Sequence, residues 1–325
     1  MPDSHPILGA SLGPALEPVL RTVCEGKLSQ IRWFRSDWQR GGGSTGLAEF
    51  QTGTATVEVV VKLPVGPVEF NWATALGRRA DFDPDLPVPH IYAADTALSG
   101  YDLAWLVMER LPGQPLGGHL DADGVHAIIH ALADWHERAS RLQPPGPAPK
   151  PADFARAIEH SREVCKHGVL PEHQKWNHEL KALQKVLPEL VARWEARPMC
   201  AWCHGDTHPG NAMRRAPCPG KSVGRGVLID LALVHPGHWI EDAVYLERVH
   251  WGRPEALAGV APVAALAATR RAAGLRWSED HGLLAAVRRV LMAGCAPAAL
   301  EREGNPKYLH AALEVLQRYL PQVTH

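Results

Sequence analysis

The sequence predicts an α+β chain in which strands occupy the first part and helices most of the rest. Three observations predict it. Ile31–Phe34, Gly46–Gln51 and Thr56–Lys62 are rich in β-branched and aromatic residues, the composition that suits a pleated surface. Helical apolar spacing runs from Val125 through Ile128, Ile129, Leu132 and Trp135, and Ala/Leu-rich segments fill Pro254 to Leu320. Between the two regimes, the apolar strand Ala104–Arg110 stops at Leu111-Pro112-Gly113. With 325 residues and 46% hydrophobic content, the chain can bury an ample core in one or two domains.

Each element follows from local sequence. The N-terminus is interrupted by Pro2, Pro6, Pro14 and Pro18 and lacks a basic-then-apolar signal layout. The second and third strands make a hairpin with Gly53 at its turn. Val68–Gly77 reads as a partly buried helix carrying Phe70, Trp72 and Leu76. Asp121-Ala122-Asp123-Gly124 precedes the next helix, and His136 lies on or near its apolar face, as a core or turn-capping residue. The proline-rich Gln143–Pro151 reads as a stiff surface loop. Helices over 152–166 and 172–194 follow, then short buried strands at Met199–Cys203 and Gly226–Asp230, and a helix from Asp242 through Glu247-Arg248. No internal repeat is present.

The segment Cys203-His204-Gly205-Asp206-Thr207-His208-Pro209-Gly210-Asn211, with Ile229-Asp230-Leu231 downstream, carries the chemistry. A tight loop aims Asp206 at an acceptor oxygen and turns Asn211 back, with Pro209 and Gly210 permitting the turn. Phosphoryl transfer from Mg-ATP needs a carboxylate for the acceptor hydroxyl's proton, and an amide plus a second carboxylate to hold metal against the phosphates. The expected function is a small-molecule kinase.

This combination resembles the aminoglycoside phosphotransferase and choline kinase-like family, over about Ile31 to Tyr245. The resemblance implies a two-lobed protein-kinase-like fold: a small antiparallel-sheet N-lobe with one main helix over 1–110, and a larger, mainly helical C-lobe over 111–325. It implies ATP and Mg2+ as cofactors, Asp206 as catalytic base, and Asn211 and Asp230 as metal ligands. His204 matches the histidine that braces the loop. Asp242 matches the aspartate that accepts hydrogen bonds from loop amides, although an acid also suits any first helical turn. The backbones of Glu109 and Leu111, in Met108-Glu109-Arg110-Leu111-Pro112-Gly113, match the stretch that joins the lobes and meets the adenine edge.

Upstream, Gly41, Gly43 and Gly46 fit G-x-G-x-x-G. A Rossmann fingerprint must open a helix. This one opens a strand, so it is either a flap over ATP phosphates or a flexible hairpin tip, and many members of the family lack a glycine-rich loop here. Lys62 is either the exit of its strand to solvent or the cation on the α- and β-phosphates. In the second case the resemblance pairs it with Glu69, which could equally be solvated on the first turn of its helix.

Composition removes other classes. A net charge of −1 and a sequence pI near 7.0 imply neither nucleic acid nor an anionic membrane. No apolar run is long enough to span a bilayer, and the expected location is the cytoplasm, without disulfides. Cys200 and Cys203, with His204, His208 and Cys218 nearby, could form a zinc or redox site, but free cysteines in a strand behave as small apolar residues. Two rival functions are a catalytically silent nucleotide-binding protein and a metal-dependent hydrolase built on His204, Asp206 and His208. The acceptor stays open among aminoglycosides, sugars and amino alcohols, as does the oligomeric state. Residues 1–110 carry 13 acidic and 9 basic residues, so the remainder shows no acidic excess for a polycation beyond a local cluster at Glu241, Asp242 and Glu247. Trp239, Tyr245, Trp251 and Trp277 are core residues or a cage for a quaternary ammonium.

Overall fold

The structure, a computed structural model, describes residues 8–34, 43–149, 152–166, 170–217, 220, 223–276, 280–300 and 305–324. Gly41, Cys218 and Trp277 lie outside the described residues. The chain forms two compact units: Met1–Pro115 with Ala212–Val234, and Leu116–Asn211 with His235–His325.

The first unit begins with α1 (Leu8–Val23), β1 (Arg32–Phe34), β2 (Ser44–Gln51), β3 (Thr56–Leu63), α2 (Pro67–Gly77), β4 (Ile91–Asp95) and β5 (Trp105–Glu109). The strands form one antiparallel sheet in the order β1-β2-β3-β5-β4. Strand period two buries Val59, Val61 and Leu63 of β3 in a core shared with Phe50, Val107 and Leu20, and turns Val60 and Lys62 to the opposite face.

Helix α1 is a departure from the sequence reading, which placed no helix before residue 31. Its interior prolines, Pro14 and Pro18, each remove a backbone donor. Burial outweighs that loss: Leu12, Leu16, Val19 and Leu20 pack on the sheet core. Glu17 fastens the helix to β1, accepting from Ile31 N at 2.9 Å and Trp33 Nε1 at 2.8 Å.

The second unit holds α3 (Ala122–Leu142), α4 (Phe154–Lys166), α5 (His173–Glu195) and β6 (Ala201–Cys203). The chain returns to the first unit for the hairpin β7 (Ala212–Arg214) and β8 (Gly226–Leu228). It then completes the second with β9 (His235–Gly237), α6 (Ile240–Arg248), α7 (Pro262–Ala272), α8 (His281–Gly294), α9 (Ala296–Ala299) and α10 (Pro306–Val323). Asp121 caps α3, accepting from Gly124 N at 2.7 Å. The face predicted for α3 is buried, with Val125, Ile128, Ile129, Leu132 and Trp135 all inaccessible. β6 pairs antiparallel with β9, from Ala201↔Gly237 to Cys203↔His235. Among the described residues no helix is long and apolar enough to cross a membrane.

Candidate active site

In the second unit, β6 ends at Cys203 and the chain turns sharply. Gly205 takes a φ of +84°, a left-handed conformation that glycine adopts without steric cost. A single 3₁₀ turn, Pro209–Asn211, then folds Asn211 back onto Asp206. Asn211 Nδ2 donates to Asp206 O at 3.1 Å and to Asp206 Oδ2 at 2.9 Å. Its amide oxygen is the atom left to meet a cation. Gly117 permits the close approach of the segment Leu116–Gly118, because a Cβ there would lie 3.2 Å from Gly210 N.

Asp242, on the first turn of α6, holds this loop. It is fully buried and accepts four hydrogen bonds: from His204 N (2.8 Å) and His136 Nε2 (2.9 Å) at Oδ2, and from Gly205 N (2.9 Å) and Thr207 Oγ1 (2.8 Å) at Oδ1. Burial alone would raise its pKa, but the bond from His136 and those from the loop outweigh it and hold the carboxyl well below the usual range. Sequence left a plain helix-start acid as an equal reading for Asp242, and the structure gives it these partners.

His136, read as a core or capping residue, is buried and joins Asp242 to α7. Arg270 Nη1 lies 3.2 Å from His136 Nδ1. An arginine can only donate, so Nδ1 accepts and the ring proton sits on Nε2, facing Asp242. Burial lowers the pKa of His136, in agreement with this neutral form. Nothing in local sequence marks Arg270, because the pairing spans 134 residues.

Asp206 is ringed by donors. Tyr245 Oη donates to its Oδ1 at 2.6 Å, Asn211 to its Oδ2, and His208 Nε2 stands 3.6 Å from Oδ2. His208, followed by burial acting in the opposite sense and then by Tyr245, brings its pKa down to about 2. Tyr245 entered the sequence reading only as a cage or core aromatic; here it touches the predicted base. His204 is fully buried, and its Nδ1 accepts from Asp206 N at 3.3 Å. Gly210 N donates to His208 Nδ1 at 3.0 Å. Both imidazoles therefore turn a ring nitrogen to loop amides rather than to a shared metal position.

The remaining predicted residues lie in the first unit. Lys62 Nζ meets Glu69 Oε1 at 2.6 Å and Oε2 at 2.8 Å, so the α2 partner is the one predicted. Asp230 Oδ1 lies 3.6 Å from the same nitrogen. Burial raises the Glu69 pKa despite Lys62. Asp230 follows β8 with a φ of +62°, a left-handed conformation uncommon for a residue with a Cβ.

Gly46 is buried within β2, where a Cβ would fall 2.3 Å from Ile31 Cγ2. That close approach alone requires a glycine, without any phosphate. A Cβ on Gly43 would meet no atom closer than Pro64 O at 3.5 Å. The Glu109 N–H donates to His90 O at 2.8 Å, and its carboxylate grips buried Arg215 at 2.7 and 2.8 Å. Arg215 also donates to the carbonyls of Pro84, Leu86 and Val88, fixing the chain that leads into β4. Leu111 is buried just beyond β5.

The acidic cluster is neutralised where it stands. Burial would raise Glu241, yet His235, Arg288 and Arg197 bring it to about 2, with Arg197 Nε 2.9 Å away. Glu247 forms a two-pronged pair with Arg289 at 2.8 and 2.9 Å. Cys203, His235 and Glu241 place ligand atoms within 4.8 Å of one another. However, burial raises the Cys203 thiol, which donates to His238 O at 3.3 Å, and Glu241 is already paired.

The model of the phosphotransferase enzyme family (APH) matches residues 50–287. The chain belongs to this family. Its fold is similar to that of a candidate aminoglycoside phosphotransferase from Ralstonia eutropha JMP134, with a TM-score of 0.55, 15% identity and coverage of 95% of this chain and 99% of that one. It is also similar to an aminoglycoside phosphotransferase from Alicyclobacillus acidocaldarius (0.54, 17%, 91% and 92%). A choline kinase from Cryptosporidium parvum gives 0.51, at 9% identity over 94% and 95%. These likenesses establish the kinase-like two-lobed α+β fold expected from the sequence. No curated protein matches the chain.

Proposed function

We propose that this phosphotransferase is a small-molecule kinase that moves the γ-phosphoryl group of ATP to an alcohol. The acceptor oxygen forms a bond to phosphorus as the bond to the bridging oxygen of ADP breaks, and the hydroxyl proton passes to Asp206. The observation that carries this reading is the loop around Asp206: an ionised carboxylate fixed by Tyr245 and Asn211, on a backbone tied down by Asp242.

Lys62, braced by Glu69, suits the α- and β-phosphates, and the backbones of Glu109 and Leu111 suit the adenine edge. Asn211 Oδ1 and the Asp230 carboxylate are hard oxygen donors of the kind magnesium takes. They would hold that ion, which when bound neutralises charge developing on the phosphates. The metal-hydrolase alternative draws no support from His204 and His208, whose Nδ1 atoms face loop amides.

The test is acceptor-stimulated ADP release, with Asp206→Ala as the control. Loss of a general base costs about 10²–10⁴-fold in rate, while Mg-ATP affinity should stay unchanged. Near-normal turnover by the variant would remove Asp206 from its role.

A further inference from the structure

One arginine near Tyr245 has no carboxylate partner among the described residues. Arg248 lies one helical turn after Tyr245 on α6, with its Cζ 5.9 Å from the Tyr245 ring centroid. Its Nε donates to Tyr308 Oη at 3.2 Å, and among the described residues no carboxylate pairs with it. Its neighbours differ. Arg197 holds Glu241 and Arg289 holds Glu247.

A second guanidinium, Arg288, lies nearby and already has Glu241 as its charge partner. Arg288 stacks over Trp194 at 4.8 Å and Phe154 at 5.8 Å, and among the described residues its buried Nε finds no acceptor. Burial disfavours its charge most; Glu241 is its strongest charge partner and favours it, while Arg197 and Arg248 act the other way. Holding the Arg248 cation in a partly buried position is costly unless an anion joins it. The terminal nitrogens of an arginine form a planar fork matched to carboxylate and phosphate oxygens. No free acid remains in the nearby cluster to attract a polycation, because Glu241, Asp242 and Glu247 are each buried or paired.

Resting on the kinase reading above, we propose that the acceptor alcohol carries an oxyanion, a carboxylate or a phosphate ester. Arg248 grips that group through its two terminal nitrogens while Asp206 takes the hydroxyl, with Tyr245 between them. Arg248 is then a specificity-determining residue, and polycationic alcohols are poor acceptors.

The experiment compares ADP release with D-glycerate, gluconate, L-homoserine and glycerol 3-phosphate against glycerol, glucose, choline and kanamycin. At least one oxyanion-bearing alcohol should exceed its uncharged counterpart by about tenfold or more in kcat/KM, since a single charged contact is worth that much. Arg248→Met should remove the advantage chiefly through KM and leave the KM for Mg-ATP unchanged, and Arg248→Lys, which keeps the charge, should restore part of it. Inorganic phosphate is the binding probe: it should raise the melting temperature of the wild-type protein more than that of Arg248→Met. Preference for choline or kanamycin would overturn the proposal while leaving the kinase reading intact. An equal phosphate effect in both proteins, or unaltered acceptor kinetics in Arg248→Met, would also overturn it. If no alcohol stimulated ADP release yet phosphate protection required Arg248, the kinase reading would fall and the anion site would stand.

Discussion

Replacing Asp242 by asparagine should cost more than any other single-atom change in the loop. The side chain is fully buried and its two oxygens accept from four donors. An amide keeps one oxygen and turns an NH2 toward the other pair. The least costly orientation faces that NH2 to Thr207, because the hydroxyl can rotate and accept, which leaves Gly205 N–H without a partner. The two bonds kept from His204 N and His136 Nε2 lose their charge assistance, worth about 1 kcal/mol each, and the orphaned amide costs about 1–3 kcal/mol more. The expected loss is therefore about 3–5 kcal/mol, the range seen when one partner of a buried charged contact is removed. Urea unfolding followed by tryptophan fluorescence and by far-UV circular dichroism would measure it. Thr207→Val, which deletes one donor only, should lose less. A stability for Asp242→Asn within about 0.5 kcal/mol of wild type would refute the four-bond account.

Two further outcomes follow from the same geometry. Glu69→Gln should free Lys62 to close on Asp230, now 3.6 Å away, and weaken magnesium-dependent nucleotide binding by about tenfold, the worth of one charged contact; an unchanged Kd by titration calorimetry would count against the pair's role. Stability should fall between pH 7 and pH 5. Burial lowers the His238 pKa from 6.5 to about 4, so in this window the unfolded chain binds a proton that the folded chain refuses, and the loss from this group is on the order of 2 kcal/mol. His136 shifts in the same direction. The acids act lower: Asp206 and Glu241, both held near 2, contribute above their ordinary pKa and lose that contribution as pH falls below about 4. Stability that stayed flat from pH 7 to 5, or failed to flatten in part for His238→Gln, would contradict the assignment.

Two local arrangements were legible because their residues cluster in sequence. The loop from His204 to Asn211 is one tight turn, and Lys62 and Glu69 follow one another on a strand and the next helix, so local pattern sufficed. What escaped notice depends on long-range pairing. Tyr245, Arg270 and His136 are an unremarkable tyrosine, arginine and histidine until the fold brings them within 3.2 Å of their partners. Arg215 likewise shows itself only through carbonyls more than a hundred residues earlier. Helix α1 was obscured for a different reason: local proline penalties argue against it, and the apolar stripe of Leu12, Leu16 and Leu20 matters only once a sheet exists to receive it. Gly46 is a different case, a motif glycine whose absent side chain packing against Ile31 by itself explains.

The two aspartates of the loop region are both depressed in pKa, but their surroundings suit them to different work. Asp242 has no exposed surface and no acceptor site left open, so it can neither take a proton nor touch a substrate. Asp206 is partly exposed, with side-chain accessibility of 26%, and its donors occupy only part of its lone-pair capacity. A carboxylate with a pKa of about 2 is a weak base toward an ordinary alcohol. In the proposed transfer it would accept the proton only after the oxygen had begun to bond to phosphorus and the hydroxyl had become acidic. Asp206 thus suits an orienting group that receives the proton late, the role a loose phosphoryl-transfer transition state requires. Tyr245→Phe, by removing one donor, should raise that pKa toward the ordinary value and shift the acid limb of the kcat/KM profile upward; an unmoved limb would show that the tyrosine does not tune the base.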